Sequence, residues 1–388
     1  MRLVWLWISM VGLLAGAPRG APALSPWQRI RFDKLIKEPA LVTRDDRHYV
    51  MALEFSPDGS RVAVLVGQHR EERQSLVHLL LVNLNGVERA PLETDLVAPV
   101  PMFLEKVQWS NDGKTLFVQF VDRVLIIDPN TAATTCESRS DLPRKLYSMP
   151  GGLIGPGSYV VGDRGDPLKQ NGWLWFYDLG CRPFKEIEAD AGPSSGDTAP
   201  AVGLLAMADE NVRIVVVHPR RGRVLSIPDG RSQVRVAFLK SGRMLCSGKL
   251  PDSGDGSLLC WKLDSKIGGA FRRFEVDNGG TAPFATSSDS SVVMIPERTF
   301  NYDPFTDNIG GRVKRYVIWD AESGATIATI APRKQWLPGN SEHTPRIVGD
   351  SLVFAVSRDG GLVALATEDS IEIFKVPGPS ASGEKQRR

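Results

Sequence analysis

The sequence has 388 residues, of which 42% are apolar, and its 47 lysines and arginines nearly balance its 45 aspartates and glutamates. This length suits one large repeat domain or two ordinary domains, and the balanced charge excludes the basic footprint of a nucleic-acid-binding domain. The 37 glycines and 27 prolines favour many turns and disfavour long helices.

The first 23 residues have the pattern of a secretory signal peptide. A basic start, "MR", precedes the apolar run "LVWLWISMVGLLAGA", and a small-residue site follows. Ala21 and Ala23 give the A-x-A pattern, so we predict cleavage after Ala23 and a periplasmic or extracellular mature chain. The alternative is an uncleaved N-terminal anchor, although an apolar run of about 15 residues is short for a membrane span. We expect no membrane span in the mature chain.

A short phrase recurs along the chain. The phrase "FSPDGSRVAV" (55–64) returns, altered, as "WSNDGKTLFV" (109–118) and "VSRDGGLVAL" (356–365). Alternating apolar and β-branched residues around each phrase predict a strand, a tight turn and a second strand. Asp can bond its own backbone and Gly adopts positive φ, so we interpret the acidic residues as parts of turns and not as active-site carboxylates. The turn residues are Asp58, Gly59, Asp112, Gly113, Asp359 and Gly360.

Seven such units, about 50 residues apart, predict an all-β fold, a seven-bladed β-propeller with four strands per blade over residues 24–376. The last unit supplies three strands, so we predict that "WQRIRFDKLI" (27–36) becomes the outermost strand of the last blade and closes the ring. The fourth unit fits least well, because little sequence follows "SIPDGR" for an outer strand, and it has three or four strands. The polar tail 377–388 is predicted to be disordered.

Several segments carry a family resemblance. The segment "VIWDAESGATIATI" (317–330) resembles the third strand, turn and fourth strand of a WD-repeat. The segment "VSRDGGLVALATEDSIEIFKV" (356–376) is similar to another such repeat, with Phe374-Lys375 in place of Trp-Asp. The phrase "FSPDGSRVAV" also resembles the repeat of TolB-type periplasmic propellers. The resemblance covers roughly residues 26–376 and implies an exported member of this β-propeller superfamily.

The four cysteines permit two disulfides in an exported chain. Cys246 and Cys260 flank "SGKLPDSGDGSLL", and a hairpin centred on Ser253 would place them opposite each other on adjacent strands. Cys136 and Cys181 are paired only by elimination. The alternative is four buried free thiols.

The connections between second and third strands are often long, and in an up-and-down blade they emerge on the same face as the connections between blades. We interpret 190–201 and 331–346 as such inter-blade connections. The longest second-to-third connection is 296–314. Function tends to reside on loops that a rigid scaffold holds, so we expect one binding face that carries these segments.

Within the longest connection, "TFNYDPFTDNIGG" (299–311) mixes aromatic and polar residues, which suits peptide or sugar recognition. The open alternatives are a structural loop and a calcium site, although EF-hand spacing is absent. The candidate binding residues are Phe300, Asn301, Tyr302, Asp303, Phe305 and Asp307. The basic cluster "HPRRGR" (218–223) is interpreted as a polar hairpin turn.

The catalytic inventory is thin. No His-x-x-x-His metal spacing, G-x-S-x-G elbow or phosphate-binding glycine loop occurs. We therefore predict a non-catalytic, monomeric scaffold that binds a protein or peptide, with no cofactor, metal or nucleic acid. The alternative is a propeller enzyme of quinoprotein-dehydrogenase, lyase or glycosidase type, with titratable groups converging in the central channel. Small-molecule or carbohydrate binding is a third reading.

Overall fold

The structure is a computed structural model. It describes residues 21–31, 48–69, 74–85, 92–99, 106–120, 122–139, 149–163, 172–189, 193–209, 213–229, 231, 234–249, 257–263, 270–275, 284–303, 308–331, 353–367 and 370–378. The predicted leader therefore lies outside the described residues up to position 20, and the predicted tail lies outside them from position 379 onward.

Within these ranges the chain forms 28 β-strands and one short 3-10 turn, Lys240–Gly242. The first strand is β1 (Gln28–Arg31). Blade 1 contains β2 (His48–Phe55), β3 (Arg61–His69), β4 (Gln74–Asn83) and β5 (Leu92–Pro99). Blade 2 contains β6 (Lys106–Trp109), β7 (Leu116–Gln119), β8 (Arg123–Asp128) and β9 (Ala133–Arg139). Blade 3 contains β10 (Met149–Leu153), β11 (Ser158–Asp163), β12 (Gly172–Asp178) and β13 (Pro183–Ala189).

The remaining strands follow the same plan. Blade 4 contains β14 (Pro193–Ala199), β15 (Leu204–Asp209), β16 (Arg213–His218) and β17 (Gly222–Pro228). Blade 5 contains β18 (Val234–Leu239), β19 (Met244–Lys249), β20 (Ser257–Lys262) and β21 (Arg272–Glu275). Blade 6 contains β22 (Ala285–Thr286), β23 (Val292–Asp303), β24 (Asn308–Asp320) and β25 (Thr326–Ile330). Blade 7 contains β26 (Phe354–Val356), β27 (Leu362–Ala366) and β28 (Ser370–Lys375).

Seven antiparallel four-stranded sheets stand in a ring, which confirms the predicted seven-bladed β-propeller. The first strand of each blade is innermost and contacts the first strand of the next blade. One apolar cluster fills each of the seven junctions between neighbouring blades. In β3, Val62 and Val64 pack toward blade 7, whereas Ala63 and Leu65 pack toward blade 2. Both faces of each sheet are buried, so the central strands read as continuous apolar runs.

The ring closes as predicted, because β1 pairs antiparallel with β28 and forms the outer strand of blade 7. Ile30 is buried between blades 7 and 1, and the Arg29 guanidinium lies 2.7 Å from the Glu372 carboxylate. The described strand, Gln28–Arg31, covers only part of the predicted segment 27–36, whose remaining residues lie outside the described chain.

The residues before β1 make a contact that the sequence did not predict. Ala23 forms a parallel bridge with Thr329 on β25, the outer strand of blade 6. The Leu24 amide donates to the Thr329 carbonyl over 2.8 Å, and the Thr329 amide donates to the Pro22 carbonyl over 3.0 Å. The N-terminal segment of the uncleaved chain therefore contacts both blade 6 and blade 7, and the predicted cleavage after Ala23 would retain the Leu24 donor and remove the contacts of Pro22 and Ala23.

The structure corrects the interpretation of blade 4. The sequence 190–201 was interpreted as a connection between blades, but it contains β14, the innermost strand of blade 4. The outer strand is β17, with the sequence "GRVLSIP", so the blade has four strands. The mistake arose because "PSSGDTA" has little β-propensity, and its pairing with β15 decides its conformation.

A buried ion pair holds the connection between blades 4 and 5. The Asp229 side chain is fully buried, and the Arg231 side chain is 9% exposed. Arg231 donates to Asp229 Oδ2 over 2.9 Å, to the Ser257 carbonyl over 2.6 Å and to the Ser247 carbonyl over 3.2 Å. Blade 5 thereby supplies the hydrogen-bond acceptors that a buried guanidinium requires.

Both cysteine pairs are joined by disulfide bonds in the structure, and no described cysteine is free. Cys246 and Cys260 are register partners on β19 and β20, with Cα atoms 4.1 Å apart. Cys136 on β9 joins Cys181 in the turn before β13, with Cα atoms 6.1 Å apart, so this bond links blade 2 to blade 3. Among the residues that the structure describes, no helix is long and apolar enough to cross a membrane.

The ring has two faces. The turn face carries the turns between first and second strands, such as 56–60, and those between third and fourth strands, such as 129–132. The ribbon face carries the connections between second and third strands and those between blades.

Candidate functional site

The strands β23 and β24 extend far beyond the other strands of blade 6. The short β22 pairs with Val293 and Met294, and β25 pairs with residues 316–319. From the pair Glu297–Arg315 to the pair Asp303–Asn308, the described β23 and β24 pair only with each other. Seven register pairs at about 3.3 Å per residue make a two-stranded ribbon roughly 20 Å long on the ribbon face. We call residues 297–303 and 308–315 the ribbon.

This ribbon corrects the interpretation of 296–314 as a loop. Four of the predicted binding residues lie on β23, where Phe300 pairs with Gly311 and Tyr302 pairs with Ile309. Asn301 pairs with Gly310, and Asp303 pairs with Asn308. The other two predicted residues, Phe305 and Asp307, lie outside the described residues.

The base of the ribbon is fixed by charge. Glu297 is 5% exposed and forms an ion pair with Arg315, while the Lys314 ammonium lies 3.5 Å from its Oε1. A β-bulge between Glu297 and Arg298 shifts the register at this point. Bulges bend a strand pair and increase its local twist, so this one sets the direction in which the ribbon leaves the blade.

The three repeated turns on the turn face have the same hydrogen-bond pattern. The Ser56 hydroxyl donates to Asp58 Oδ1 over 2.6 Å, and the Ser60 amide donates to the same oxygen over 3.0 Å. Equivalent bonds hold Asp112 and Asp359. The following glycines, 59, 113 and 360, have φ between 67° and 78°. The bond from the serine lowers the pKa of Asp58 and Asp112, so these carboxylates stay ionised and accept the hydrogen bonds that hold the turns.

Polar groups from three separate blades meet at the centre of the ring. The Lys106 ammonium on β6 lies 3.2 Å from Asp197 Oδ1 on β14, which joins blade 2 to blade 4. The second Asp197 oxygen accepts the Phe238 amide of blade 5 over 2.9 Å. Both side chains remain about one-fifth exposed.

A double glycine lets a second polar bridge pass the inner strand of blade 3. Gln108 Nε2 on β6 donates to Thr198 Oγ1 on β14 over 3.1 Å, and Gln108 Oε1 accepts the Leu153 amide over 2.9 Å. A Cβ atom on Gly152 would lie 2.5 Å from both Gln108 Oε1 and Thr198 Oγ1. A side chain at this position would therefore separate blades 2 and 4.

Glu54 on β2 lies within the electrostatic reach of the Lys106–Asp197 pair. Its transfer out of water raises the pKa of Glu54 to about 8, against the opposing effect of the Lys106 ammonium and with a smaller contribution from Asp197. The carboxyl is therefore protonated at neutral pH, where it can donate a hydrogen bond. Neutral carboxyl groups beside charged partners occur at catalytic sites and in structural networks alike.

Sequence reasoning missed this cluster. Glu54, Lys106 and Asp197 are separated by up to 143 positions and come together only when the ring closes. A signal was present, because Glu54 and Gln108 both stand two positions before the serine of a repeated turn, and each lies between two apolar residues of its strand. Among the described residues, no group of three His, Cys, Asp or Glu side chains could hold a metal ion.

A cavity of about 430 Å³ opens where the channel meets the turn face. The Arg358 guanidinium of blade 7 bonds the Asp289 carboxylate of blade 6, and its Nη1 lies 3.3 Å from the Asn111 carbonyl of blade 2. Ser241 Oγ of blade 5 donates to Asp289 over 2.9 Å. These bonds link four blades across the mouth. The cavity is lined by Ser56, Pro57, Asp58, Arg61, Asn111, Asp112, Gly113, Asp289 and Arg358.

Comparison with known proteins is informative about the fold. No protein-family model and no curated protein matches the sequence. Among solved structures, a chain from "Crystal Structure of Mitotic Checkpoint Complex" is similar, with a TM-score of 0.58 and 15% identity over 97% of this chain and 99% of that chain. This similarity agrees with the seven-bladed β-propeller that the order of the sheets shows. A similarity at 15% identity indicates a shared architecture, and the function has to be argued from the site.

Proposed function

We propose that this WD-repeat-like propeller is an exported, non-catalytic scaffold that binds a protein or peptide through its ribbon face. The observation that carries the proposal is the ribbon, 297–303 paired with 308–315. An isolated two-stranded hairpin is marginally stable in water, so a ribbon roughly 20 Å long beyond its sheet is costly unless a partner covers it. Its sequence concentrates aromatic residues among short polar ones, which is the composition of recognition surfaces.

Two further observations support this reading. The similar solved chain belongs to a complex by its title, and the propeller architecture presents several segments on one rigid face. The support for export is the leader pattern of residues 1–23, the likeness of "FSPDGSRVAV" to TolB-type periplasmic propellers, and both disulfides, since disulfides persist in oxidising compartments.

The test removes the ribbon without touching the blade. Replacing residues 298–314 by Asn-Gly joins Glu297 to Arg315 through a two-residue hairpin turn and retains their register pair. The full chain and this variant are used as baits in envelope extract. Retention of a partner by the full chain and its loss from the shortened chain is the expected result.

A matched variant separates the contribution of the aromatic residues to partner binding from the contribution of the ribbon's length. Phe300→Thr with Tyr302→Thr keeps strand-forming residues on β23. We expect this variant to lose the partner as the shortened chain does. Equal capture by all three chains would remove the ribbon from the interface, and capture by none would contradict the scaffold proposal.

The alternative function is an enzyme with a site in the central channel. The observation that favours it is the position of Glu54, a carboxyl group whose burial raises its pKa, beside the Lys106–Asp197 ion pair. This alternative expects a turnover, found in substrate screens of the purified chain, that Glu54→Gln abolishes and the shortened ribbon leaves unchanged.

A further inference from the structure

The turn face is divided into an acidic part and a basic part. Blades 1, 2, 6 and 7 present exposed acidic side chains in their first turns, namely Asp58, Asp112, Asp289 and Asp359. The first turns of blades 3, 4 and 5 are "GPG" (155–157), "PAVG" (200–203) and "KSG" (240–242), which contain no acidic residue. Departure from the repeated Asp-Gly turn in three consecutive blades therefore removes negative charge from one side of the ring.

The same three blades present arginines. Arg182, Arg220, Arg221 and Arg243 are exposed in or beside turns of blades 3, 4 and 5. None of these four has a carboxylate partner among the described residues. Asp178 is the acidic residue in the described turns here, and its Oδ1 accepts the Gly180 and Arg182 amides over 2.9 Å.

Large apolar side chains are exposed at the same place. Phe184 is 56% exposed, Val224 is 50% exposed and Val202 is 44% exposed. Trp27 is the one other exposed large apolar residue among the described residues. Phe184 and Val224 follow the third-to-fourth turns of blades 3 and 4, and each stands at the bulge of its outer strand. Clustered exposed apolar groups mark interaction sites more often than scattered ones do.

Contacts between the turns make this a continuous surface. Lys185 beside Phe184 donates to the Pro219 carbonyl in the arginine-bearing turn of blade 4. A Cβ atom on Gly203 would lie 3.9 Å from His218 Nε2, and the Val202 side chain packs on Gly242 of blade 5. We call the surface formed by Arg182, Phe184, Val202, Arg220, Arg221 and Val224 the basic sector.

We propose that the basic sector binds an acidic protein segment that carries at least one large apolar side chain. The planar guanidinium groups suit bidentate carboxylate recognition, and the apolar residues between them provide the contact that charge alone lacks. The first turns of blades 1, 2, 6 and 7 carry four aspartates against the two cations Lys114 and Arg358, which disfavours an acidic segment on that side of the ring. This surface lies opposite the ribbon and is independent of the function proposed above.

The basic cluster 218–223, interpreted from the sequence as a polar hairpin turn, is that turn and also part of the basic sector. It forms the turn between β16 and β17, and it supplies two of the arginines in the basic sector. Local sequence could not show that Phe184 and Val202 lie beside it.

The test uses a fluorescein-labelled peptide built from repeats of Asp-Glu-Phe-Glu, and the readout is fluorescence anisotropy with the full chain. We expect binding that weakens with salt, as charge-steered contacts do. Arg221→Glu should raise the Kd about tenfold, and Phe184→Ser with Val224→Ser should raise it about threefold. Lys114→Glu makes the same charge change in a blade 2 turn of this face and should leave the Kd within about twofold.

The other occupants are distinguished by further arms. A Ser-for-Phe peptide that binds equally well, or a duplex DNA that binds more tightly than the peptide, would overturn the proposal in favour of a plain polyanion site. Self-association in sedimentation velocity that Arg221→Glu abolishes would assign the sector to a second copy of this chain. Equal peptide binding by all variants would remove the site from this sector. Thermal melts of each variant show that the comparison is made between folded chains.

Discussion

Glu54 is a carboxyl group that folding partly buries, so its titration should be visible in the stability of the protein. Its pKa rises from 4.5 to about 8, which means that the folded chain holds this proton more tightly than the unfolded chain does. The free energy of unfolding should therefore fall as the pH rises from 4.5 to 8, by at most about 1.4 kcal/mol per pH unit from this group. Below pH 4.5 the carboxyl is protonated in both the folded and the unfolded chain, so it adds no pH dependence to the free energy of unfolding.

Glu54→Gln should remove that slope, because the amide mimics the protonated carboxyl and does not titrate. Urea unfolding of both chains at several pH values between 5 and 8 isolates the contribution of Glu54 from that of the histidines. Parallel stability profiles for the two chains would show that Glu54 is ionised in the folded protein.

Gly152 is the residue on which the bridge between blades 2 and 4 depends. Gly152→Ala places a methyl group against Gln108 Oε1 and Thr198 Oγ1, and we expect a loss of about 1–3 kcal/mol from this overpacking. Gly157→Ala is the matched control, because a Cβ atom there meets nothing within 4 Å. Thermal melts of both variants measure the difference, and an equal melting temperature for the two would contradict the bridge.

At the scale of elements, single and double substitutions of the buried ion pair Asp229–Arg231 should change the free energy of unfolding by different amounts. Arg231→Met leaves the Asp229 carboxylate buried without its cation, for which a loss of about 3–5 kcal/mol is typical. Asp229→Leu in addition removes the stranded charge and should restore most of that loss. Equilibrium unfolding of the three chains checks this, and a double variant no more stable than Arg231→Met would contradict a purely electrostatic origin.

The sequence predicted elements best where turn chemistry is local. The serine, aspartate and glycine of the turns at 56–60, 110–114 and 357–361 encode their own hydrogen bonds, so these turns and their flanking strands could be read directly. The strand β14 could not, because the residues of "PSSGDTA" favour turns and only the pairing with β15 extends them. The aromatic residues of β23 were identified from composition, although the ribbon itself was read as a loop.

At the scale of the whole molecule, predictability depends on how many blades a feature needs. The number of blades followed from the repeat, and the closing strand followed from one strand missing in the last unit. The channel cluster draws residues from three blades and the basic sector draws residues from two, so no local sequence pattern predicts either of them. The bridge from Ala23 to Thr329 is of the same kind, since it joins residues 306 positions apart.

Ring closure gives the most direct prediction for the whole molecule. A chain that begins at Phe32 lacks β1 and exposes the edge of β28, where Ile371 and Ile373 are fully buried in the intact ring. Loss of the Ile30 contact alone costs about 2 kcal/mol, and an open strand edge pairs with other chains. We expect this chain to melt at a lower temperature and to elute from gel filtration as oligomers. A chain that begins at Ser25 loses the contact with Thr329 and the packing of Leu24 but retains β1, and it should remain a monomer. Addition of a synthetic peptide of residues 21–31 should return the shorter chain to the monomer position by supplying β1. If the chain that begins at Phe32 is monomeric without the peptide, the ring stays closed through contacts of the inner strands and does not need β1.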